Sequence, residues 1–357
     1  MPDRDGLIWQ SASNAATAGV VTAEALLTGL DHAERAYLRS PIRDYILATS
    51  ITVNHFPHLT SLREGNNIIT FSSDLPRRFR RTETQEGLKR VTVIEHPERL
   101  MSVRIRVKAR TEHSAANQAL DCLDFFRGLW NYNINWRTRF RQQFGIHDPE
   151  PINKILLGPV HTLHSIDGSL ATQALWHQPQ HIQSEQIYDL STHWSRFSEW
   201  QKIVRRRLRN IPYASEIKKL FIRYNRALDN VDYEVAFSKL WAVLEQLTNA
   251  PGKYDDLVKR VLFLVASNDR AYTRLILEHL RDVRNGLIHD DIVRDPMMSY
   301  IFQLKFYIET VFHFHLRNGS KFRSIADAGN FLALPPEVND LKARIAQYQG
   351  ALRFQQR

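Results

Sequence analysis

The pattern of hydrophobic and polar positions divides the chain into a mixed first part and a helical second part. Over about the first 190 residues, short runs rich in β-branched residues predict strands, and the run at 102–107 alternates strictly. One face of that strand is therefore expected to be buried, and the face with Arg104 and Arg106 to be basic. A helix is predicted at 114–130, and the Pro-, Gly-, His- and Gln-rich residues 145–190 predict loops. Further strands are predicted at 45–53, 67–71 and 91–94, and a weaker helix at 16–27.

After this first part, apolar residues recur at helical spacing as far as about residue 318. Asp232 can cap the third of these helices, and Pro251 and Gly252 follow its end. The sixth helix, which Asp295 and Pro296 would begin, is apolar on most sides and is expected in the centre of a bundle. Six helices are expected, at about 194–209, 217–228, 233–247, 255–265, 270–289 and 296–318, followed by a loop and a charged helix at 336–348.

These elements predict an α+β fold with a mixed α/β sensing or RNA-binding domain at 1–190, a helical bundle at 191–320 and a tail with one helix at 321–357. A chain of 357 residues, 43% hydrophobic and 24% charged, has the composition of an ordinary globular protein. The sequence has no apolar run of 18 residues and no signal peptide, and Cys122 is the only cysteine. We therefore expect a cytoplasmic protein with no membrane attachment, no disulfide within the chain and no Cys-based zinc site.

The net charge of +10 comes mainly from arginine, with 36 Arg against 12 Lys. Arginine binds phosphate through two parallel hydrogen bonds and stacks on bases, so this excess favours a nucleic-acid partner. A genome-wide preference for arginine codons would give the same excess, and charge alone does not separate the two explanations.

One segment near the end of the fifth helix combines side chains suited to cutting RNA. Arg284 is followed by Asn285, and His289 comes four residues after the asparagine, so Asn285 and His289 share one helix face with Arg281. Histidine, with an ordinary pKa of about 6.5, can take the proton of a ribose 2′-OH or protonate the leaving 5′-oxygen. Arginine can stabilise the charge on the phosphate. One histidine per chain is short of an acid and a base, so two chains meeting along this helix would complete the site.

The spacing of arginine and histidine has little specificity by itself. Arg followed by His after four to six residues occurs five times in the chain, about as often as chance predicts. The match at Arg284 differs because Asn follows it late in an amphipathic helix, whereas Arg274 and His279 repeat the spacing without Asn. The alternative is that Arg284 and His289 only stabilise the negative end of a helix dipole.

Residues 213–317 resemble the HEPN superfamily, close to its ApeA-like branch of bacterial defence proteins. The resemblance rests on the segments 236–247 and 281–289 and covers about a third of the chain, with the Arg-Asn-x3-His core as its specific part. Arg281 is a minor departure, since an aromatic residue is common at its position.

The resemblance implies a helical bundle that dimerises and a composite, metal-independent active site for cutting RNA. Arg284, Asn285 and His289 carry over as its catalytic residues. Glu245 matches a frequent acidic position, and either forms a structural salt bridge or orients Arg284 or Arg281.

The function that follows is endoribonuclease activity by 2′-OH attack, in abortive phage defence or as a toxin. The expected partners are an RNA substrate such as tRNA, a second copy of the chain bound through the bundle, and an antitoxin or a phage-derived trigger. No cofactor is expected. The alternative is a non-catalytic dimeric scaffold that binds RNA or a nucleotide.

Three arginine-rich segments are further candidates for RNA contact. Arginines interleaved with aromatic rings hold single strands by phosphate contacts and base stacking, although a run of charge also suits a solvated surface. The candidates are Arg77, Arg78, Arg80 and Arg81, then Arg137 and Arg139, and then Arg205, Arg206 and Arg207.

Three histidine pairs have the spacing of metal ligands. Each pair lies in a predicted loop with no cysteine or carboxylate cluster nearby, so no metal site is expected. The pairs are His55 with His58, His161 with His164, and His177 with His181.

Overall fold

The protein, described here by a computed structural model, forms two compact units. An antiparallel sheet with helices in the first unit and a bundle of helices in the second confirm the predicted α+β fold. No helix within the described residues is long and apolar enough to cross a membrane. Unit 1 comprises Met1–Arg127 and Lys154–Trp194, and unit 2 comprises Gly128–Asn153 and Ser195–Arg357. The described residues are 4–17, 19, 22–54, 56–79, 100–136, 150–177, 187–289 and 297–356.

Within the part of the chain that the structure describes, unit 1 is built on a six-stranded antiparallel sheet. Its order is β2-β3-β4-β1-β5-β6, so β4 and β1 lie at the centre. In β4, Val103, Ile105 and Val107 are buried on one face and Arg106 is exposed on the other, as the alternation predicts. The strands are β1 (Arg43–Ile51), β2 (Ser61–Glu64), β3 (Asn67–Ser72), β4 (Met101–Ala109), β5 (Val160–Ser165) and β6 (Trp176–His177).

Among the described residues, three helices accompany this sheet: α1 (Arg4–Thr17), α2 (Ala23–Arg39) and α3 (Glu112–Asn135), whose last eight residues belong to unit 2. Helix α3 contacts the sheet at β3, where the Gln118 amide donates to Asn67 Oδ1 at 2.8 Å. Its buried apolar face supplies Ala115, Ala119, Leu123 and Phe126 at helical spacing.

The single weak helix predicted at 16–27 is wrong, because the chain is interrupted there. Gly19 has a φ of +69°, a left-handed conformation that a helix cannot continue through. The Thr22 side chain then accepts a hydrogen bond from the Ala25 amide at 3.2 Å and begins α2 as its N-cap.

The loop predicted across 145–190 is also partly wrong, because β5 and β6 lie within it. Strand β5 pairs with the central strand β1, yet polar residues occupy both of its faces. These polar residues satisfy one another: His161 Nδ1 lies 2.7 Å from Thr49 Oγ1, and His164 Nε2 lies 2.8 Å from Thr162 Oγ1. The strand therefore lacks the apolar alternation that would identify it. His161 and His164 are three residues apart on a strand and face opposite sides, so this pair does not converge.

Unit 2 contains the predicted helices and one that was missed. Helix α9 is central, with Ile301, Leu304, Ile308 and Val311 fully buried, as its apolar character predicts. The helices are α4 (Trp194–Arg209), α5 (Ala214–Leu228), α6 (Tyr233–Leu247), α7 (Tyr254–Phe263), α8 (Arg270–His289), α9 (Met297–Asn318), α10 (Ile325–Leu332) and α11 (Val338–Gln355).

The tail after residue 320 differs from the predicted loop and short helix. Ser324 caps α10 by accepting a hydrogen bond from the Asp327 amide at 3.1 Å, and α11 runs to Gln355. The strand predicted at 91–94 and the helix start at Asp295 and Pro296 lie outside the described residues.

A buried histidine on α9 gives unit 2 a specific sensitivity to acid. The His315 Nε2–H donates to the Leu247 carbonyl at 2.8 Å, and Nδ1 accepts from the Tyr213 hydroxyl at 3.0 Å. Burial lowers the pKa of His315 to about 4, so the folded protein keeps the ring neutral while the unfolded chain protonates it near pH 6.5. The contribution of His315 to the free energy of unfolding is therefore fully present above pH 6.5 and is lost as the pH falls from 6.5 towards 4.

We expect the free energy of unfolding to fall by about 1.4 kcal/mol per pH unit in this window, roughly 3 kcal/mol in all. Urea titrations of the wild type and of His315→Gln at several pH values measure this slope. The His315→Gln variant should be less stable at pH 7, but its free energy of unfolding should not show the fall caused by His315 between pH 6.5 and 4. Equal slopes in the two proteins would contradict the assignment.

Candidate functional site

Helix α8 presents the central residues of the motif beside a buried stripe. Leu277, Leu280 and Val283 are fully buried, and α8 packs against α7 and α6. Directly after this stripe, Arg284 is half-buried and Asn285 is exposed. Within the described part of the chain, neither side chain forms a hydrogen bond, and Arg284 forms no ion pair. An arginine left without a carboxylate partner keeps its five donors available for an anion.

His289 is the last residue of α8, four positions after Asn285. Helical geometry places the Cα–Cβ bonds of these two residues on one face, at the C-terminal end of the helix. The side chain of His289 lies outside the described part of the structure.

Arg281 is held one turn before the exposed asparagine. Its guanidinium donates to Asp282 Oδ1 at 3.1 and 3.2 Å and lies 4.3 Å from the centre of the Tyr254 ring. The hydrogen bonds with Asp282 raise the pKa of Arg281. Burial raises the pKa of Tyr254 to about 12, so its ring stays neutral beneath the cation. Arg281 thus has partners of its own, in contrast to Arg284.

Glu245 lies on α6, and its carboxylate is bonded to a residue of the same helix. Its carboxylate accepts a hydrogen bond from the Trp241 indole at 3.0 Å, one turn earlier. Among the described residues, Glu245 forms no ion pair with Arg281 or Arg284. Among the described residues, Glu245 therefore has no hydrogen bond or ion pair with Arg284 or Asn285.

The three arginine-rich segments differ in their structural surroundings. Arg77 and Arg78 are exposed on a short 3-10 turn, but Phe79 between them and the next arginines is only 1% exposed, so its ring cannot stack on a base. Arg205, Arg206 and Arg207 lie in the last turns of α4, where cations stabilise the negative helix end. Arg80, Arg81, Arg137 and Arg139 lie outside the described residues.

A shallow depression beside the C-terminal end of α4 is lined by two arginines, Arg207 and Arg317. It has a volume of about 480 Å³. Arg207 and Arg317 line it together with Asn210, Asn318 and Ser320, at the C-terminal ends of α4 and α9. Because the carbonyl ends of two helices lie beside it, the arginines face partial negative charge already present there.

The sequence pattern did not single out Arg104, although its strand was predicted to carry a basic face. The buried Arg104 Nε has no hydrogen-bond partner, and the Arg104 guanidinium carbon lies 5.8 Å from the centre of the Phe79 ring. An alternating pattern shows which face a residue takes but not whether an acid lies opposite it.

Across the residues that the structure describes, no three His, Cys, Asp or Glu side chains come together as possible metal ligands. No protein-family model matches the chain, and no curated protein or solved structure matches it.

Proposed function

We propose that this chain is a metal-independent endoribonuclease of the HEPN type, acting in the cytoplasm in phage defence or as a toxin. The observation that carries the proposal is the pairing of Arg284, which has no ion pair among the described residues, with the exposed Asn285, one turn before His289 on an amphipathic helix. An antitoxin or a phage-derived trigger would control the activity.

The chemistry assigns one task to each group. A histidine takes the proton of the ribose 2′-OH as its oxygen attacks the adjacent phosphorus, and the bond from phosphorus to the 5′-oxygen breaks. The leaving 5′-oxygen receives a proton from a second histidine, which a partner copy would supply through its own His289. Arg284 binds the phosphate oxygens, whose negative charge grows in the transition state, and Asn285 orients the phosphate. The products are a 2′,3′-cyclic phosphate and a 5′-hydroxyl end.

This mechanism predicts RNA cleavage that a chelator does not stop. Purified full-length protein is incubated with total RNA and with a tRNA pool in EDTA, and the ends of the fragments are analysed. We expect fragments with 2′,3′-cyclic phosphate ends, and we expect cleavage to be as fast with EDTA as without it. If EDTA abolishes cleavage, the mechanism is wrong. If RNA is bound but left intact in either condition, the chain is the binding scaffold instead.

A further inference from the structure

A second basic site lies in unit 1, on the sheet face opposite the apolar face of β4. We call this the outer sheet face. Antiparallel pairing places Arg104 of β4 beside Ala48 of β1 and Thr70 of β3, and places Thr162 of β5 beyond Ala48. The turn with Arg78 and Phe79 packs on this face, because the Phe79 ring lies against His164 at 5.3 Å.

Two guanidinium groups meet around the buried ring of Phe79. The guanidinium carbon of Arg78 lies 4.9 Å from the ring centre and that of Arg104 lies 5.8 Å from it. Neither arginine has a hydrogen bond or an ion pair within the described ranges. The two cations are therefore held close together, and neither is bonded to a carboxylate, although Arg78 interacts through space with the Asp167 carboxylate.

The position of Arg78 is fixed by close backbone packing. Gly168 has a φ of +97°, and a Cβ added there would lie 2.8 Å from the Arg78 carbonyl oxygen and 2.9 Å from Arg78 Cβ. Only glycine therefore suits this turn, which holds the stem of Arg78 in place.

Holding these two cations together destabilises unit 1. Burial, and then repulsion by Arg78, lowers the pKa of Arg104, and its Nε is buried without a partner. Two positions along the same strand, Arg106 differs, because its Nε donates to Asp44 Oδ1 at 3.0 Å. That contact is the first cause of the lowered pKa of Asp44. The sheet thus neutralises one arginine of this face and leaves its neighbour uncompensated.

We infer that Arg78 and Arg104 bind a phosphate group at the outer sheet face, carried by an RNA strand or by a free nucleotide. An anion there would accept hydrogen bonds from the terminal Nη groups of Arg104, since only its Nε is buried, and would screen the two cations from each other. Since Phe79 is buried, recognition would use the phosphate and not a stacked base. The site does not depend on the nuclease proposal, because it requires binding and no cleavage.

The test uses full-length protein carrying His289→Ala, so that RNA is not cut during the measurement. Fluorescence anisotropy measures the Kd for a short labelled oligouridylate, and calorimetry measures the Kd for ATP. Arg104→Gln and Arg78→Gln are each expected to weaken binding by roughly 10-fold or more. Arg106→Gln, the matched control from the same strand and face, is expected to change the Kd by less than about 2-fold, because Asp44 already neutralises it.

Measurements of the salt dependence of binding and of Tm distinguish the possible outcomes. For the oligouridylate, Arg104→Gln should reduce the slope of log Kd against log salt by about 0.7, the share of one phosphate contact on a single strand. Its Tm should equal or exceed that of the parent protein, because it removes an uncompensated charge. Equal effects on oligouridylate and ATP identify a nucleotide phosphate, and an effect on oligouridylate alone identifies a strand phosphodiester. The proposal is overturned if neither probe binds, or if Arg104→Gln behaves like Arg106→Gln.

Discussion

Replacing His289 with alanine is expected to lower the rate of RNA cleavage by at least about 10²- to 10⁴-fold, because proton transfer by a single positioned side chain contributes that much. In the proposed dimer each chain supplies one histidine, so the substitution removes the acid and the base together. Arg284→Ala should lower the rate by a comparable factor through loss of phosphate stabilisation. Arg284→Lys should restore only part of it, since lysine keeps the charge but not the bidentate contact. Single-turnover cleavage of a labelled tRNA measures all three rates.

The same helix provides a matched control. Arg274 and His279 have the same spacing as Arg284 and His289 but lack the asparagine, and both are exposed. His279→Ala removes a ring contact with Tyr300, at 5.1 Å, and should leave the cleavage rate within about 2-fold of the wild type. An equal loss in His279→Ala and His289→Ala would show that damage to α8, and not loss of a catalytic group, causes the effect. Retention of full activity in His289→Ala would refute the site.

The second large effect concerns an ion pair in the middle of unit 2. Lys305 Nζ lies 2.7 Å from Glu309 Oε1, and the two side chains are 1% and 2% exposed. Lys305 also donates to the Asn135 carbonyl at 2.5 Å, and the Tyr224 hydroxyl donates to Glu309 at 2.8 Å. Burial and the Glu309 carboxylate raise the pKa of Tyr224, which keeps that hydroxyl protonated as a donor.

Lys305→Met is therefore expected to lower the free energy of unfolding by about 3–5 kcal/mol, because it removes the ammonium group bonded to the buried Glu309 carboxylate. Glu309→Leu should have an effect of similar size, since it strands the ammonium of Lys305. The double variant should recover much of this loss, because no uncompensated charge remains. Urea denaturation at pH 7 measures the four proteins of this cycle.

A surface pair with the same sequence spacing serves as the control. Asp31 and Arg35 are also four residues apart on a helix, but their side chains are 70% and 73% exposed and the two groups are 4.0 Å apart. Arg35→Ala should cause no measurable change in stability, since solvent screens such a pair. If the Lys305 double variant loses the full sum of the two single effects, the pair is not coupled and the argument fails.

Much of the fold could be predicted from the sequence, because burial follows local periodicity. The stripe at Leu277, Leu280 and Val283 predicts α8, and the alternation at 102–107 predicts β4 and its basic face. The same periodicity puts Arg284, Asn285 and His289 late on one helix, so the candidate site could be named before its surroundings were known. Where the buried residues are polar, hydrophobic periodicity is absent. Strand β5 was missed because its histidines are buried against threonines, His164 against Thr162 of the same strand and His161 against Thr49 of β1.

The sequence by itself determined the helical and strand faces of this protein and the motif that α8 carries. Only the tertiary structure decided which charges have partners. Arg104 and Arg106 are equivalent in the alternating pattern, yet Asp44, 62 residues away in the chain, bonds to Arg106 and not to Arg104. Lys305 and Glu309 have the spacing of an ordinary surface pair, yet they lie in the core. A periodic pattern specifies the direction in which each side chain points, whereas the group opposite it comes from a distant segment that only folding brings there.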